Sequence, residues 1–271
     1  MAISQSDYPP DAVEAAKSVL VELVHVLGEY RDDMVIVGGW VPPLLMPDST
    51  GHVGSTDVDV ALNHLAETDE VYARISASLR ANGYYQDESQ PFIWYRHVET
   101  GGEPVTVEVD FLAGEYGGRG KGHRTQRVQD LQPRKARGAD LLLLGATEER
   151  QVEARLPGGA MDSVIVRVAG VAPYLVMKGS ALDSRIKQKD AYDIWFVLAN
   201  YPRGISAVIG EFAPFPGHGL IGEMVGILER TFESPAHFGP SAVAEFLEQM
   251  DGDAEITQRD AFERVQALLA G

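Results

Sequence analysis

Asp57 and Asp59 are the residues whose types and spacing best support chemistry: they stand at i and i+2 in the strictly alternating run Thr56 to Leu62. In a strand such positions share a face and lie roughly 6.6 Å apart at the backbone. Val58, Val60 and Leu62 take the opposite face. Two carboxylates so placed can lean toward one cation. Magnesium demands oxygen ligands, keeps several waters and is completed by substrate phosphates, so a pair of Asp residues can hold it. A third acid, Asp110, lies on a second alternating run, Val105 to Leu112, with Glu108 on the same face as a substitute candidate. From a neighbouring strand Asp110 would let two ions clamp the attacking and leaving oxygens of an in-line displacement, or would serve as general base. By itself an Asp-x-Asp strand is also what a half-exposed sheet presents to water. Its company shifts the weight. Gly38-Gly39 directly follows the apolar run Met34 to Val37, and such a turn can bring backbone N–H groups close to a triphosphate. Ser55, in the turn Gly54-Ser55-Thr56, adds a hydroxyl beside the acidic strand.

A second set of charges lies between Lys178 and Asp193. On one continuous helix Lys178, Arg185 and Lys189 would fall on a single stripe, within about 20° of Lys178 at 100° per residue, and such a stripe suits triphosphate. The ordinary alternative is a solvated charged face with a Lys189–Asp193 pair at i, i+4. Asp190 can equally favour the start of the helix that runs through Ile194, Trp195, Val197 and Leu198.

The elements that must position these groups follow from periodicity. Asp11 to Tyr30 buries one face through Ala16, Val19, Leu20, Leu23, Val26 and Leu27, a helical pattern. Met34 to Val37 reads as a strand, then a glycine turn and a short helix from Trp40 to Leu45. Leu65 to Ala81 predicts a helix, Phe92 to His97 a strand, and Val152 to Leu156 with Ser163 to Val168 a hairpin around Pro157-Gly158-Gly159. From Ala172 the period is helical: Tyr174 to Ser184, Lys189 to Asn200, Gly219 to Phe232, Ser241 to Met250 and Thr257 to Ala270, the last with a variant capping box at Thr257 and Asp260. The expectation is a mixed sheet flanked by helices in residues 1–171, an α/β (α+β) arrangement, followed by a helical domain in residues 172–271.

In this order the segments Val35-Ile36-Val37-Gly38-Gly39-Trp40, Gly54-Ser55-Thr56-Asp57-Val58-Asp59-Val60 and Val107-Glu108-Val109-Asp110-Phe111-Leu112 resemble the nucleotidyltransferase superfamily. With Tyr174 to Leu198, which carries Lys178, Arg185, Lys189-Asp190 and Asp193, the chain is similar to the AbiEii-type nucleotidyltransferase toxins of type IV toxin-antitoxin systems, which include the MenT toxins. The resemblance implies the nucleotidyltransferase fold for the sheet domain. It also implies an activity, transfer of NMP from NTP to an acceptor hydroxyl with release of pyrophosphate. The metal would be magnesium or manganese on Asp57, Asp59 and Asp110, with Gly38, Gly39, Ser55 and Lys178 at the nucleotide and Asp190 in the active site with Asp193 behind it. An RNA acceptor, such as a tRNA 3′ end, and an antitoxin protein are the partners it implies. Two departures are visible: seventeen residues separate Gly39 from Asp57, with Pro42, Pro43 and Pro47 among them, and Met177 precedes the lysine where many relatives carry an acid.

Composition narrows the alternatives. The chain has 271 residues and no cysteine, so disulfides and thiolate metal sites are excluded. No run of eighteen apolar residues and no apolar leader appears, and with the missing cysteines this leads to the expectation of a cytoplasmic protein without a membrane segment. The formal charge is -17, unfavourable for nucleic acid if spread evenly. It is not spread evenly. Seven Lys or Arg residues and one acid lie between Arg119 and Arg137, against eleven acids and three bases from Glu211 to Gly271. The basic stretch, rich in glycine, reads as a solvated loop or as a grip on an RNA backbone. No His-Glu-x-x-His, Gly-x-Ser-x-Gly or Walker spacing is present. Two rival readings stay open: nucleotide transfer to a small hydroxyl compound or protein side chain, and a non-catalytic nucleotide-binding or partner module.

Overall fold

The computed structural model describes residues 4–62, 69–114 and 133–271. The chain groups into two units: Pro9–Leu44 with Gly54–Ala169, and Met1–Tyr8 with Leu45–Val53 and Gly170–Gly271.

The first unit is built on the two alternating runs. Strands β1 (Met34–Val37), β2 (Asp57–Leu62), β3 (Tyr84–Gln86), β4 (Ile93–Val98), β5 (Val105–Ala113), β6 (Arg134–Lys135), β7 (Thr147–Arg155) and β8 (Met161–Ala169) form one mixed sheet. Its order is β3-β4-β5-β2-β1-β8-β7, with β6 paired to β5. β1 runs antiparallel to β2 and parallel to β8, and β2 runs parallel to β5. Helix α1 (Pro10–Val26) starts on a proline that needs no N–H there. Through Ala16, Val19, Leu20 and Leu23, all fully buried, it packs across β2, β5, β7 and β8. Opposite faces of β2 and β5 contribute Val58, Val60, Val107, Val109 and Phe111 to the core at zero exposure. The short α2 (Val41–Leu45) follows the glycine turn, and α3 (Asp69–Ala81) packs on β3.

The second unit is helical: α4 (Val171–Arg185), α5 (Gln188–Asn200), α6 (Ile205–Gly210), α7 (Gly219–Thr231), α8 (Phe238–Phe246) and α9 (Asp251–Leu269). Together the two units give the mixed α/β class expected, with the helices gathered in the C-terminal part.

Several local readings are corrected. α1 ends at Val26, after which a 3-10 turn occupies Gly28–Asp33. Two short strands, β3 and β6, and helix α6 went unread because each is too short to show a period. α9 begins at Asp251 behind Met250, so Thr257 lies inside it and buried, and the capping box there is not formed. The helices read over Tyr174 to Ser184 and Lys189 to Asn200 are α4 and α5; Ile186, which takes a left-handed φ of 48°, separates them, so Lys178, Arg185 and Lys189 do not share one continuous helix. No described helix is long and apolar enough to cross a membrane. Most of the basic segment 119–137, with Arg119, Lys121, Arg124 and Arg127, lies outside the described residues.

Candidate functional site

In the first unit the strand register places the acids. β2 and β5 pair with Asp57 opposite Glu108 and Asp59 opposite Asp110. Directly paired positions of parallel strands point to the same face, so four carboxyl side chains form a two-by-two array. The glycine turn abuts it. Val37 pairs with Asp59, and Gly38 has a φ of +66° and lies so close that a Cβ there would sit 1.8 Å from Asp59 Oδ2. Glycine is required at that point twice over, for its backbone conformation and for the carboxylate beside it. Trp40 Nε1 donates to the Asp57 carbonyl at 2.8 Å and ties the start of β2 to the turn. The Ser55 hydroxyl, buried, donates to Asp57 Oδ1, which orients the carboxylate rather than reaching outward. Gly39 is buried within the 3-10 turn Gly38–Trp40.

Asp110 differs from its neighbours. It is 6% exposed, not the water-facing acid that alternation alone suggests. Arg134 Nη2 donates to its Oδ2 at 2.5 Å, and the guanidinium lies 5.6 Å from the Phe92 ring centroid. Oδ1 is buried without a hydrogen-bond partner. Burial pushes the Asp110 carboxyl well above the usual range; Arg134 opposes this, and the charges of Asp59, Glu108 and Asp57 add to it. An orphaned buried carboxylate oxygen beside three further acids is a donor set of the kind a hard divalent cation takes. As the side chains stand, no three His, Cys, Asp or Glu among the described residues are gathered tightly enough to hold a metal ion. Asp110 is committed to Arg134 instead.

In the second unit the break after Arg185 gathers into a cluster the charges that one continuous helix would have set in a stripe. Lys178 Nζ, on α4, lies 2.9 Å from Asp190 Oδ1 and 2.6 Å from Asp193 Oδ2, both on α5. Arg185 approaches Asp190 with two donors at 2.8 Å. Lys189 forms the expected i, i+4 pair with Asp193, at 2.9 Å. That pair is buried, unlike the solvated face of the ordinary reading. Asp193 also meets His52 Nε2 at 3.1 Å. Burial would favour neutral forms throughout, yet Asp190 and Asp193 hold Lys178 above its ordinary pKa. In turn Lys178 and Arg185 lower Asp190, and Lys178, Lys189 and His52 hold Asp193 well below the carboxylate range. Lys178 is thus a permanent cation.

The structure therefore joins Asp57, Asp59, Asp110 and Gly38 in one constellation, and Lys178 and Asp190 in another. Two participants escaped the sequence reading. Arg134 was one base among seven in a loop-like stretch, and His52, between Gly51 and Val53, carries no periodic signal. No model of a known protein family matches the chain, and no curated protein matches it.

Proposed function

We propose that the chain is a divalent-metal-dependent nucleotidyltransferase that moves NMP from NTP to an acceptor hydroxyl. The observation that carries this reading is the register of β2 against β5, which sets Asp59 beside Asp110 and Asp57 beside Glu108 next to the Gly38 turn. Asp57 and Asp59, joined by Asp110, are the residues that would hold magnesium or manganese. When bound, such an ion neutralises phosphate charge and polarises the α-phosphorus for attack. Asp110, beside Asp59 on the neighbouring strand, takes the proton of the acceptor hydroxyl as general base. The acceptor oxygen forms a bond to the α-phosphorus, the bond from that phosphorus to the bridging oxygen breaks, and pyrophosphate leaves with the electron pair. Lys178 supplies a fixed positive charge for the triphosphate, anchored by Asp190. RNA, such as a tRNA 3′ end, is the acceptor proposed, with the 119–137 segment as its grip. A toxin restrained by an antitoxin in the cytoplasm is the setting this implies.

One observation favours a second reading, a nucleotide-binding module without turnover: Arg134 already engages Asp110. A single experiment separates the two. The protein is incubated with manganese or magnesium, each labelled NTP and total RNA, beside Asp59→Ala. Label transferred by the wild type and lost in the variant supports transfer; nucleotide binding without transfer supports the second reading; neither result sinks both.

A further inference from the structure

The helical unit holds a buried titratable side chain for which the proposed reaction has no role. His52 has a side-chain exposure of 2%, and its ring stacks on Tyr192 with centroids 5.5 Å apart and meets Phe196 edge-on at 4.8 Å. The Tyr192 hydroxyl donates to the carbonyl of the preceding residue, Gly51, at 3.0 Å, so the segment around the imidazole is fixed at two points. From α5 the ring faces Asp193, Lys189 and Tyr192, and from α4 Lys178.

The division of labour on Asp193 gives His52 its consequence. Oδ1 receives His52 Nε2 at 3.1 Å and Lys189 at 2.9 Å. Oδ2 receives Lys178 at 2.6 Å and Lys189 at 3.1 Å. An ionised carboxylate only accepts, so Nε2 carries the imidazole proton. With Lys189 touching both oxygens, that ammonium alone does not fix rotation of the carboxylate about its Cβ–Cγ bond. The imidazole does, because it binds one oxygen from a locked ring and leaves the other for Lys178.

We propose that His52 is a positioning residue for Lys178: acting through Asp193, it fixes the Lys178 ammonium between two carboxylates. The inference deepens the proposed function, resting on Lys178 as the cation for the triphosphate, while its first consequence is a property of Lys178 itself.

The test uses the full-length protein with His52→Leu, which removes the donor, and His52→Gln, whose amide N–H can replace it. Two quantities are read. One is the proton-exchange protection of the Lys178 ammonium in 1H–15N spectra, assigned by its loss in Lys178→Met. The other is calorimetric affinity for magnesium with the α,β-methylene analogue of each of the four NTPs. His52→Leu is expected to abolish the protected ammonium signal and to weaken analogue binding about tenfold, as for a lost hydrogen bond to a charged group. His52→Gln is expected to restore both. An unchanged Lys178 signal in His52→Leu, or equal losses in the two variants, overturns the proposal. If the wild type binds no analogue, the triphosphate role of Lys178 fails, and the ammonium signal still decides the positioning role. Should circular dichroism show His52→Leu unfolded, His52→Phe, which keeps an aromatic ring on Tyr192, takes its place under the same criteria.

Discussion

At residue scale, a neutral imidazole buried among charges makes a pH-dependent contribution to stability whose sign follows from its own titration. Burial lowers His52 from 6.5 to about 4, against the opposing pull of Asp193. The folded ring therefore stays neutral where the unfolded one gains a proton. Its contribution is complete above the unfolded value, declines as pH falls from about 6.5 toward about 4, and changes no further below that. The full swing is about 3 kcal/mol for a shift of this size. Asp110, with its pKa raised, acts in the opposite sense over part of the window, stabilising the fold as pH falls. Asp190 and Asp193, with theirs lowered, lose their contributions only below the ordinary carboxylate value. Urea melts of wild type and His52→Leu between pH 7 and pH 4 isolate the histidine. The stability gap should narrow as pH falls, and parallel pH profiles would rule the assignment out. Gly38→Ala makes a second, independent case. A methyl group 1.8 Å from Asp59 Oδ2, on a residue at φ +66°, must displace the carboxylate. Overpacking of this kind costs about 1–3 kcal/mol, and manganese binding followed by electron paramagnetic resonance should weaken together with stability. Manganese affinity equal to wild type would separate Asp59 from the cation.

At the scale of elements, strict alternation was the most legible signal. It located β2 and β5 to within a residue or two and placed Asp57, Asp59, Glu108 and Asp110 on their faces. Pairing between strands leaves no such trace in one sequence, so the juxtaposition of Asp59 with Asp110 became visible only in the register. Burial of Asp110 was hidden for the same reason, since it depends on β6 delivering Arg134 from a segment too short to have a period. The break after Arg185 was legible as the gap between the helical runs that end at Ser184 and resume at Lys189; what one sequence does not show is that Ile186, a β-branched and 63% exposed residue, takes the left-handed conformation there. Close approach of a backbone to an aromatic ring is likewise written in a single glycine. Gly239, in the first turn of α8, would place a Cβ 2.6 Å from the ring of Phe232, which is fully buried after α7. Gly239→Ala is expected to lower stability by about 1–3 kcal/mol in thermal or urea melts, without changing manganese affinity. A neutral effect would mean that the packing around Phe232 yields more readily than a well-filled core does.

At the scale of the molecule, chain order and structural unit do not coincide. The period turns helical at Ala172, and the helical unit takes up the chain at Gly170, but that unit also draws in Leu45–Val53 and the first residues up to Tyr8. No periodicity announces either segment; what binds them is tertiary. Tyr8 meets Phe246 edge-on at 5.8 Å, Gln5 Nε2 donates to the Leu247 carbonyl at 3.0 Å, and Lys189 lies 5.3 Å from the Tyr8 ring centroid. Gly51 and His52 are held by Tyr192 and Asp193. A fragment of residues 170–271 therefore keeps all six helices and loses the imidazole, the Tyr8 ring and the cover they give to two lysines and two aspartates. In the intact chain those charges are paired in a dry environment; opened to water, the same pairs contribute little. The fragment is expected to show faster amide hydrogen exchange along α4 and α5 than the full-length protein, while α9, which packs on α5, α6, α7 and α8 within the fragment, keeps more of its protection. Uniform loss along all six helices would mean that the unit folds only as a whole. Unchanged protection of α5 would mean that the charge cluster holds without His52, removing the physical basis for its positioning role.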